Sequence, residues 1–545
     1  MYFSSTGKGG LRVDSRPTFP PLPMSRLVRP LLSFALLWVS QTVWSAPAQK
    51  QSPNFLVLLA DDMGFSDAAC YGGEIATPNL DQLAKEGVRF TQAYNTARCW
   101  PTRASLLTGF YAQHIRRDAL PGIPEGGGVK GVRPEWARLL PNLLKTAGYR
   151  SYHSGKWHVD GSPMEGGFDH SYALMDQDRY FTPKNHQLDQ QKLPQPEKGF
   201  YATTAIAEHA IDFLKEHAAQ SPKVPFFAYV AFTSPHFPLQ APQEDIQRYK
   251  GRYEEGSDVL REARLKRLWE RGMLHHAELS DPTPPAQPWT KLSTEEKAAF
   301  CTRMEVHAAM IDRMDQEIGR ILQQIKEMGA SENTVVVFLS DNGASAESLV
   351  RGDGNAAGAS PGSAQSFLCL EGQGANLANT PLRFSKKFVH EGGIATPLIV
   401  RWPAGIKAKG ELREQPVHVV DLAPTVLKLA NVSWPKMAGE TPVPAADGVE
   451  LAAVLRENKN LANRGLWWCH EEHCAFRLGD WKWVATKGKP GELYYLKADR
   501  AETRDLAAAN FERLQEMEAQ WTKMANRFKQ ESRPAAIPSP SAEVR

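Results

Sequence analysis

Three short, uninterrupted apolar runs constrain what this chain can fold into more than any other feature. They are Asn-Phe-Leu-Val-Leu-Leu at 54–59, Val-Pro-Phe-Phe-Ala-Tyr-Val-Ala-Phe at 224–232 and Thr-Val-Val-Val-Phe-Leu-Ser at 334–340. None alternates in the way of a half-exposed strand, and runs of this kind fit strands buried on both faces of a parallel sheet. Parallel strands need crossovers, and helical patterns lie between the runs. Pro78–Glu86 has Thr77 as a candidate N-cap and Gly87 as a stop. Residues 203–217 form a second helix. A third, 302–328, sets Met304, Ile311, Ile318, Ile321, Leu322 and Ile325 on one stripe for packing against the sheet. Residues 249–271, rich in Arg and Glu, read as a solvated surface helix.

Each apolar run ends in polar residues: Asp61-Asp62, Thr233-Ser234-Pro235-His236 and Asp341-Asn342-Gly343. Open α/β sheets hold their ligands at the carboxyl ends of the strands. Three parallel strands would therefore bring Asp61, Asp62, His236, Asp341 and Asn342 to one edge of one sheet. Three carboxylates and an amide are hard oxygen ligands, suited to calcium or magnesium better than to zinc.

Between the first two runs stands Cys99-Trp100-Pro101-Thr102-Arg103, followed by Ala104-Ser105-Leu106-Leu107-Thr108-Gly109. Pro101 suits the first helical position, which puts Cys99 at the positive end of a helix, with Arg103 four residues on along the same face. The pattern resembles the type I sulfatase signature, in which the cysteine is oxidised after synthesis to Cα-formylglycine. That family most often has Ser where Thr102 stands; cysteine, proline and arginine are the determining positions. The resemblance runs in order from residue 54 to about 506. Asp61-Asp62-Met63-Gly64 matches the family's first calcium motif, Tyr71-Gly72-Gly73 and Thr77-Pro78-Asn79-Leu80-Asp81 its next turn and helix, and Gly155-Lys156-Trp157-His158 its Gly-Lys-Trp-His motif. Ser234-Pro235-His236 matches its central histidine and Asp341-Asn342-Gly343 its second calcium motif. Lys386 corresponds to the family lysine five residues before the residue preceding Gly-Gly, with Lys387 as the neighbouring alternative.

The resemblance implies an α/β fold of the alkaline-phosphatase-like sandwich type: a large, mostly parallel mixed sheet between helices, plus a smaller C-terminal antiparallel sheet with a helix. It implies one calcium ion held by Asp61, Asp62, Asp341 and Asn342, with one oxygen of the hydrated formylglycine at position 99 as a further ligand. That oxygen attacks the sulfur of a sulfate ester. By the same resemblance Arg103 and His158 steady the formylglycine, Lys156, Lys386 and His236 bind sulfate, and His236 protonates the leaving oxygen. A formylglycine-generating maturation enzyme becomes a necessary partner. Two alternatives stand beside this reading: a phosphonate or phosphodiester hydrolase of the same superfamily, and an inactive carbohydrate-binding homologue, against which the completeness of the motifs counts.

Charge adds little, since 64 Lys and Arg against 61 Asp and Glu leave a net charge of +3. Neither a nucleic acid nor a membrane surface is indicated. Arg26 and Arg29 precede an apolar run at 31–39 and the small residues Ala46-Pro47-Ala48, so residues 1–48 read as a leader and secretory signal, with Met24 a candidate start. The run is too short to span a bilayer, which needs about 20 residues. Export to the periplasm or the extracellular space follows. A catalytic domain at 49–433, a Pro-rich linker at 434–444, a small domain at 445–530 and a disordered tail at 531–545 complete the plan. A helix at 421–430, strands at 466–476, Trp481–Ala485 and 494–496, and a closing helix at 511–528 fill its second half.

Six cysteines less Cys99 leave five, an odd number that argues against a dense disulfide framework. Cys469 and Cys474 are candidates to pair. His390, His470 and His473 read as structural. The alcohol part of a substrate would meet variable loops, here 343–381, 176–198 and the aromatic segment Trp467-Trp468-Cys469-His470-Glu471, whose indoles either stack on a sugar or pack within the small sheet.

Overall fold

All three apolar runs are strands, Asn54–Ala60, Phe226–Ala231 and Thr334–Ser340. The second begins after Pro225, which has no N–H to give to a ladder. The computed structural model describes residues 52–120, 131–276 and 278–532. The leader and signal segment, and the tail from residue 533, lie outside the described residues. Asn54–Ala60 pairs in parallel with both other strands, Leu56 standing opposite Ala228 on one side and Val336 on the other. Around this centre the sheet runs Glu411–Arg413, Val88–Tyr94, Ala395–Arg401, Thr334–Ser340, Asn54–Ala60, Phe226–Ala231, Arg150–Gly155, His170–Leu174, His186–Leu188 and Gln191–Lys192. Val417–His418 also pairs with Val88–Tyr94. Ala395–Arg401 and His186–Leu188 run antiparallel to their neighbours, so the sheet is mixed but mostly parallel.

The two-residue period of the strands divides the core between two faces. Phe55, Val57 and Leu59 pack with Leu106, Leu107, Leu140 and Val426. Leu56, Leu58 and Ala60 pack with Ile206, Leu214, Met310 and Ile318. The helices behind the second face are Ala202–Gln220 and Thr294–Glu327. The latter starts well ahead of the expected 302 because Ser293 and Glu296 form a capping box: Glu296 N donates to Ser293 Oγ at 3.2 Å and Ser293 N to Glu296 Oε2 at 2.7 Å. The surface helix expected at 249–271 is only Ser257–Glu270, and it is not simply solvated. Arg264 on it is fully buried, donating to Glu74 at 2.7 and 2.8 Å and to Asp67 at 2.9 Å.

In the C-terminal region Gly465–His470, His473–Leu478, Trp481–Ala485 and Gly491–Tyr495 form an antiparallel meander covered by the helix Phe511–Glu531, which extends through the first residue of the expected tail. Leu514, Met517 and Phe528 of that helix pack against Trp467, Phe476 and Trp483. The single strand expected at 466–476 is a hairpin. Its two-residue turn is Glu471-Glu472, both left-handed at φ 48° and 67°, as a type I′ turn requires. Cys469 and Cys474 stand directly opposite each other with their sulfurs 2.8 Å apart. The Pro-rich 434–444 stretch includes a two-stranded ribbon, Met437–Ala438 with Thr441–Pro442. No helix among the described residues is long and apolar enough to cross a membrane.

Candidate active site

Four adjacent parallel strands deliver the candidate residues at their carboxyl ends. Thr334–Ser340 leads into Asp341-Asn342, Asn54–Ala60 into Asp61-Asp62, Phe226–Ala231 into His236, and Arg150–Gly155 into Lys156 and His158. Backbone bonds past the strand ends keep these turns in step: Asp341 N donates to Ala60 O at 3.1 Å, Asp61 N to Ser234 O at 3.0 Å and Lys156 N to Ala231 O at 2.8 Å. Asp62 and His158 sit at φ 67° and 54°, left-handed positions of the kind that cluster at functional sites. Gly343 must be glycine, since a Cβ there would lie 1.8 Å from Gly392 O.

Cys99 is itself the first residue of the helix Cys99–Thr108, and Pro101 is the third rather than the first. The proline is tolerated because N–H groups in the first turn have no intrahelical partner. The loop before it is built locally. Asn95 Oδ1 accepts from Ala97 N at 3.1 Å, and Thr102 Oγ1 accepts from Thr96 N at 3.0 Å and meets Thr96 Oγ1 at 2.7 Å. Thr102 therefore fastens the turn that carries Cys99. Cys99 is 3% exposed and lies near enough to Asp341, Arg103 and Lys386 to bear on the charge of each.

The charged groups interlock. Lys156 Nζ donates to Asp61 at 2.6 Å and Lys386 Nζ to Asp62 at 2.8 Å. Arg103, wholly buried, donates from Nε and Nη2 to Asp341 Oδ2 at 2.9 and 2.7 Å and from Nη1 to Lys156 O at 2.8 Å, with Asp61 3.6 Å away. Of the two adjacent lysines, Lys386 enters the cluster, while Lys387, at φ 81°, turns to Glu347 at 2.9 Å. Glu347 also lies 3.4 Å from Arg98 and 3.6 Å from Lys386, a bridging role that no motif announced.

Burial sets the protonation pattern. It pushes Asp341 up, and the neighbouring Asp61 carboxylate adds to this, reaching about 8. Burial acts the same way on Asp61, but Lys156, His236 and Arg103 outweigh it and hold that carboxyl well below its usual range. His236 is pushed down to about 4 by burial, and its Nδ1 donates to Phe237 O at 2.6 Å, which leaves Nε2 facing Asp62 at 3.8 Å. His158 falls well below its ordinary value through burial and then Lys156 and Arg103. Lys386 rises because Asp62 overrides the effect of burial.

Two acceptor oxygens at the centre of the cluster, Asp61 Oδ1 and Asn342 Oδ1, are buried without a hydrogen-bond partner. Asp61, Asp62 and His236 offer ligand atoms within 4.8 Å of one another. Unpaired oxygens among crowded carboxylates fit an oxygen-seeking divalent cation.

The two indoles of the aromatic segment offer no platform to a sugar. Trp467 and Trp468 are buried at 0% and 2% exposure. Trp467 stacks on Trp521 at 5.5 Å and donates to its carbonyl, and Trp468 donates to Asn95 O at 2.7 Å beneath the Cys99 loop. Periodicity could not distinguish a sugar platform from a core strand here. His390 is paired with Glu492 at 2.8 Å, and His473 packs on Phe388. The 343–381 stretch is not all loop: it contains the helix Glu371–Ala378, and Asn379 accepts from Ala344 N at 2.9 Å.

Comparison with known proteins adds independent findings. A family model described as Sulfatase matches residues 53–432, and one described as N-sulphoglucosamine sulphohydrolase, C-terminal, matches 382–531. An uncharacterized sulfatase of Schizosaccharomyces pombe is 34% identical over 533 residues, covering 87% of this chain and 93% of its own. An arylsulfatase of Klebsiella aerogenes is 32% identical over 444 residues, 75% of this chain and 93% of its own. The solved structure of Ps i-CgsB in complex with k-i-k-neocarrahexaose aligns with a TM-score of 0.65 at 23% identity, covering 88% of this chain and 94% of that one, a likeness of fold.

Proposed function

The chain belongs to the sulfatase family of sulfate ester hydrolases, and from that premise we propose that it works through residue 99, converted from cysteine to Cα-formylglycine, beside one calcium ion. The observation that carries the proposal is the convergence of Asp61, Asp62, Asp341, Asn342, Lys156, Lys386 and His236 around the amino end of the Cys99 helix, with Asp61 Oδ1 and Asn342 Oδ1 unpaired. Asp61, Asp62, Asp341 and Asn342 would hold the calcium ion. Hydration of the formylglycine supplies an oxygen nucleophile, and calcium, when bound, supplies Lewis-acid polarisation and charge opposite the sulfate.

The chain's own residues do the rest. Arg103 fixes the Asp341 carboxylate with a two-pronged grip and so orders the carboxylate cluster. Lys156 and Lys386, already inside, offer ammonium groups to the sulfate oxygens, where charge gathers in the transition state. The Phe237 carbonyl orients His236 so that Nε2 faces inward. An anionic ester placed beside that ring raises its proton affinity, from which it hands a proton to the leaving oxygen. His158 stays neutral beside the cations and helps seat residue 99.

The same proposal includes export to the periplasm or extracellular space, from residues 1–48, and aryl or carbohydrate sulfates as substrates. The sugar-sulfate reading is supported by the name of the C-terminal family model. The test compares release of sulfate from 4-nitrophenyl sulfate with hydrolysis of the matching phosphodiester, with Cys99→Ala as control. Preferential sulfate release that Cys99→Ala abolishes supports the reading; faster phosphodiester turnover replaces it with a phosphodiesterase. A wild-type enzyme inert toward both would point to a binding protein.

A further inference from the structure

Three aromatic rings from three distant parts of the chain stand in a row beside position 99. The Trp100 ring lies 5.7 Å from that of His158 and 5.4 Å from that of His470, centroid to centroid. Trp100 directly follows Cys99, His158 ends the Lys156 turn, and His470 closes the strand Gly465–His470 of the small C-terminal sheet. Each ring has a buried nitrogen without a hydrogen-bond partner: His158 Nδ1, Trp100 Nε1 and His470 Nε2. Buried polar atoms are nearly always satisfied. Three adjacent exceptions bordering the candidate active site ask for a polar ligand.

His470 is the best defined of the three. Its Nδ1 lies 2.8 Å from Asp118 Oδ2, which also accepts from Gln113 Nε2 at 3.1 Å, and both His470 and Asp118 are buried. A carboxylate at Nδ1 keeps the proton there, so the neutral ring presents a bare lone pair at Nε2. Trp100 Nε1 offers the complement, an N–H donor without an acceptor. A hydroxyl group serves both, accepting from the indole and donating to the imidazole. Next to His470 the hairpin turns through Glu471, whose carboxylate lies 3.7 Å from Nε2 while the side chain is 54% exposed. Glu471 and Glu472 both hold left-handed backbone, and His473 packs on Phe388 of the segment that carries Lys386.

We infer that Trp100, His470 and Glu471 form a subsite for a hydroxyl-bearing leaving group, so that the sulfate esters this enzyme prefers are those of sugars. The inference rests on the sulfatase reading and adds the residues that select sugar over aryl sulfates. The large sheet thus holds the sulfate, and the small sheet reads the alcohol to which it is attached. Asp118 is a positioning residue that sets which nitrogen of His470 carries the proton.

The test measures kcat and KM of the full-length mature enzyme and its variants on 4-nitrophenyl sulfate and on a panel of sulfated monosaccharides. His470→Ala should lower kcat/KM on the preferred sugar sulfate about 10- to 100-fold, at least tenfold more than on 4-nitrophenyl sulfate, because only the sugar leaves a hydrogen bond unmade. His470→Gln, which keeps a polar atom near Nε2, should recover part of the loss. Asp118→Asn preserves volume but donates to Nδ1, moving the proton to Nε2, and should lose on sugar sulfates in the same direction. Equal losses on both substrate types, or none, would overturn the subsite. So would a wild-type enzyme that cleaves 4-nitrophenyl sulfate and no sugar sulfate. A wild-type enzyme that cleaves no sulfate ester overturns the sulfatase reading itself and the subsite with it.

Discussion

Above about pH 8, where Asp341 is ionised, Arg103→Met should cost the folded protein about 3–5 kcal/mol, the usual penalty for leaving one half of a buried ion pair. Arg103 and Asp341 are both fully buried, so solvent offers no compensation. The substitution keeps the apolar stem but deletes two charge-assisted bonds to Asp341, at 2.9 and 2.7 Å, and one to the Lys156 carbonyl at 2.8 Å. Asp341 already holds its proton up to about 8, through burial and then Asp61. Without the guanidinium it holds the proton more tightly still. A carboxyl whose folded pKa is raised loses stability as pH climbs above the unfolded value and stops losing it above the folded one, so the gap between wild type and variant should stay level from pH 5 to about pH 8 and widen above it. Urea unfolding of both proteins from pH 5 to pH 9, with divalent ions chelated, reads it out. Adding calcium should narrow the gap, because the ion replaces the missing counter-charge. A gap under about 1 kcal/mol at pH 9, or one that shrinks with rising pH, would refute the argument that Arg103 chiefly secures the carboxylate cluster.

Three further outcomes are expected. Lys386→Met should cut kcat/KM for 4-nitrophenyl sulfate by about 100-fold or more, whereas Lys387→Met should stay within about threefold, since Lys386 reaches Asp62 and Lys387 turns away to Glu347. His114 is fully buried between Asp447 and Glu531; burial lowers its pKa, but the two carboxylates outweigh that and raise it from 6.5 to about 8. Its pairing should therefore contribute about 2 kcal/mol below pH 6.5 and lose that contribution as pH rises through 8, seen as the pH-dependent difference in urea unfolding between wild type and His114→Gln. Trp468→Ala should destabilise the fold by about 3–5 kcal/mol, measured by the same unfolding, and lower turnover of aryl and sugar sulfates alike rather than selectively.

What was legible in the sequence follows physical lines. Strands buried on both faces announce themselves as apolar runs, and Thr334–Ser340 was bounded to the residue. The residues just past such strands must gather at one edge, so Asp61, Asp62, His236, Asp341 and Asn342 could be placed together from order alone. The start of Thr294–Glu327 was written in Ser293 and Glu296, a capping signal that the hydrophobic stripe obscured. Exposure was not legible: a row of aromatics reads the same on a sugar-binding surface and in a core, which is why Trp467 and Trp468 stayed open between the two until the fold placed them in the core. The choice between Lys386 and Lys387 depended on a left-handed residue, and the pairing of Asp118 with His470 crosses 352 positions of chain. No local pattern reports either.

The most direct test of the account is the chemical state of residue 99 in enzyme that hydrolyses sulfate esters. Mass spectrometry of the peptide carrying that residue, with and without hydrazine, should show an aldehyde in place of the thiol and its hydrazone on treatment, in a fraction that tracks specific activity across preparations. Fully active protein in which residue 99 remains an unmodified cysteine would contradict it.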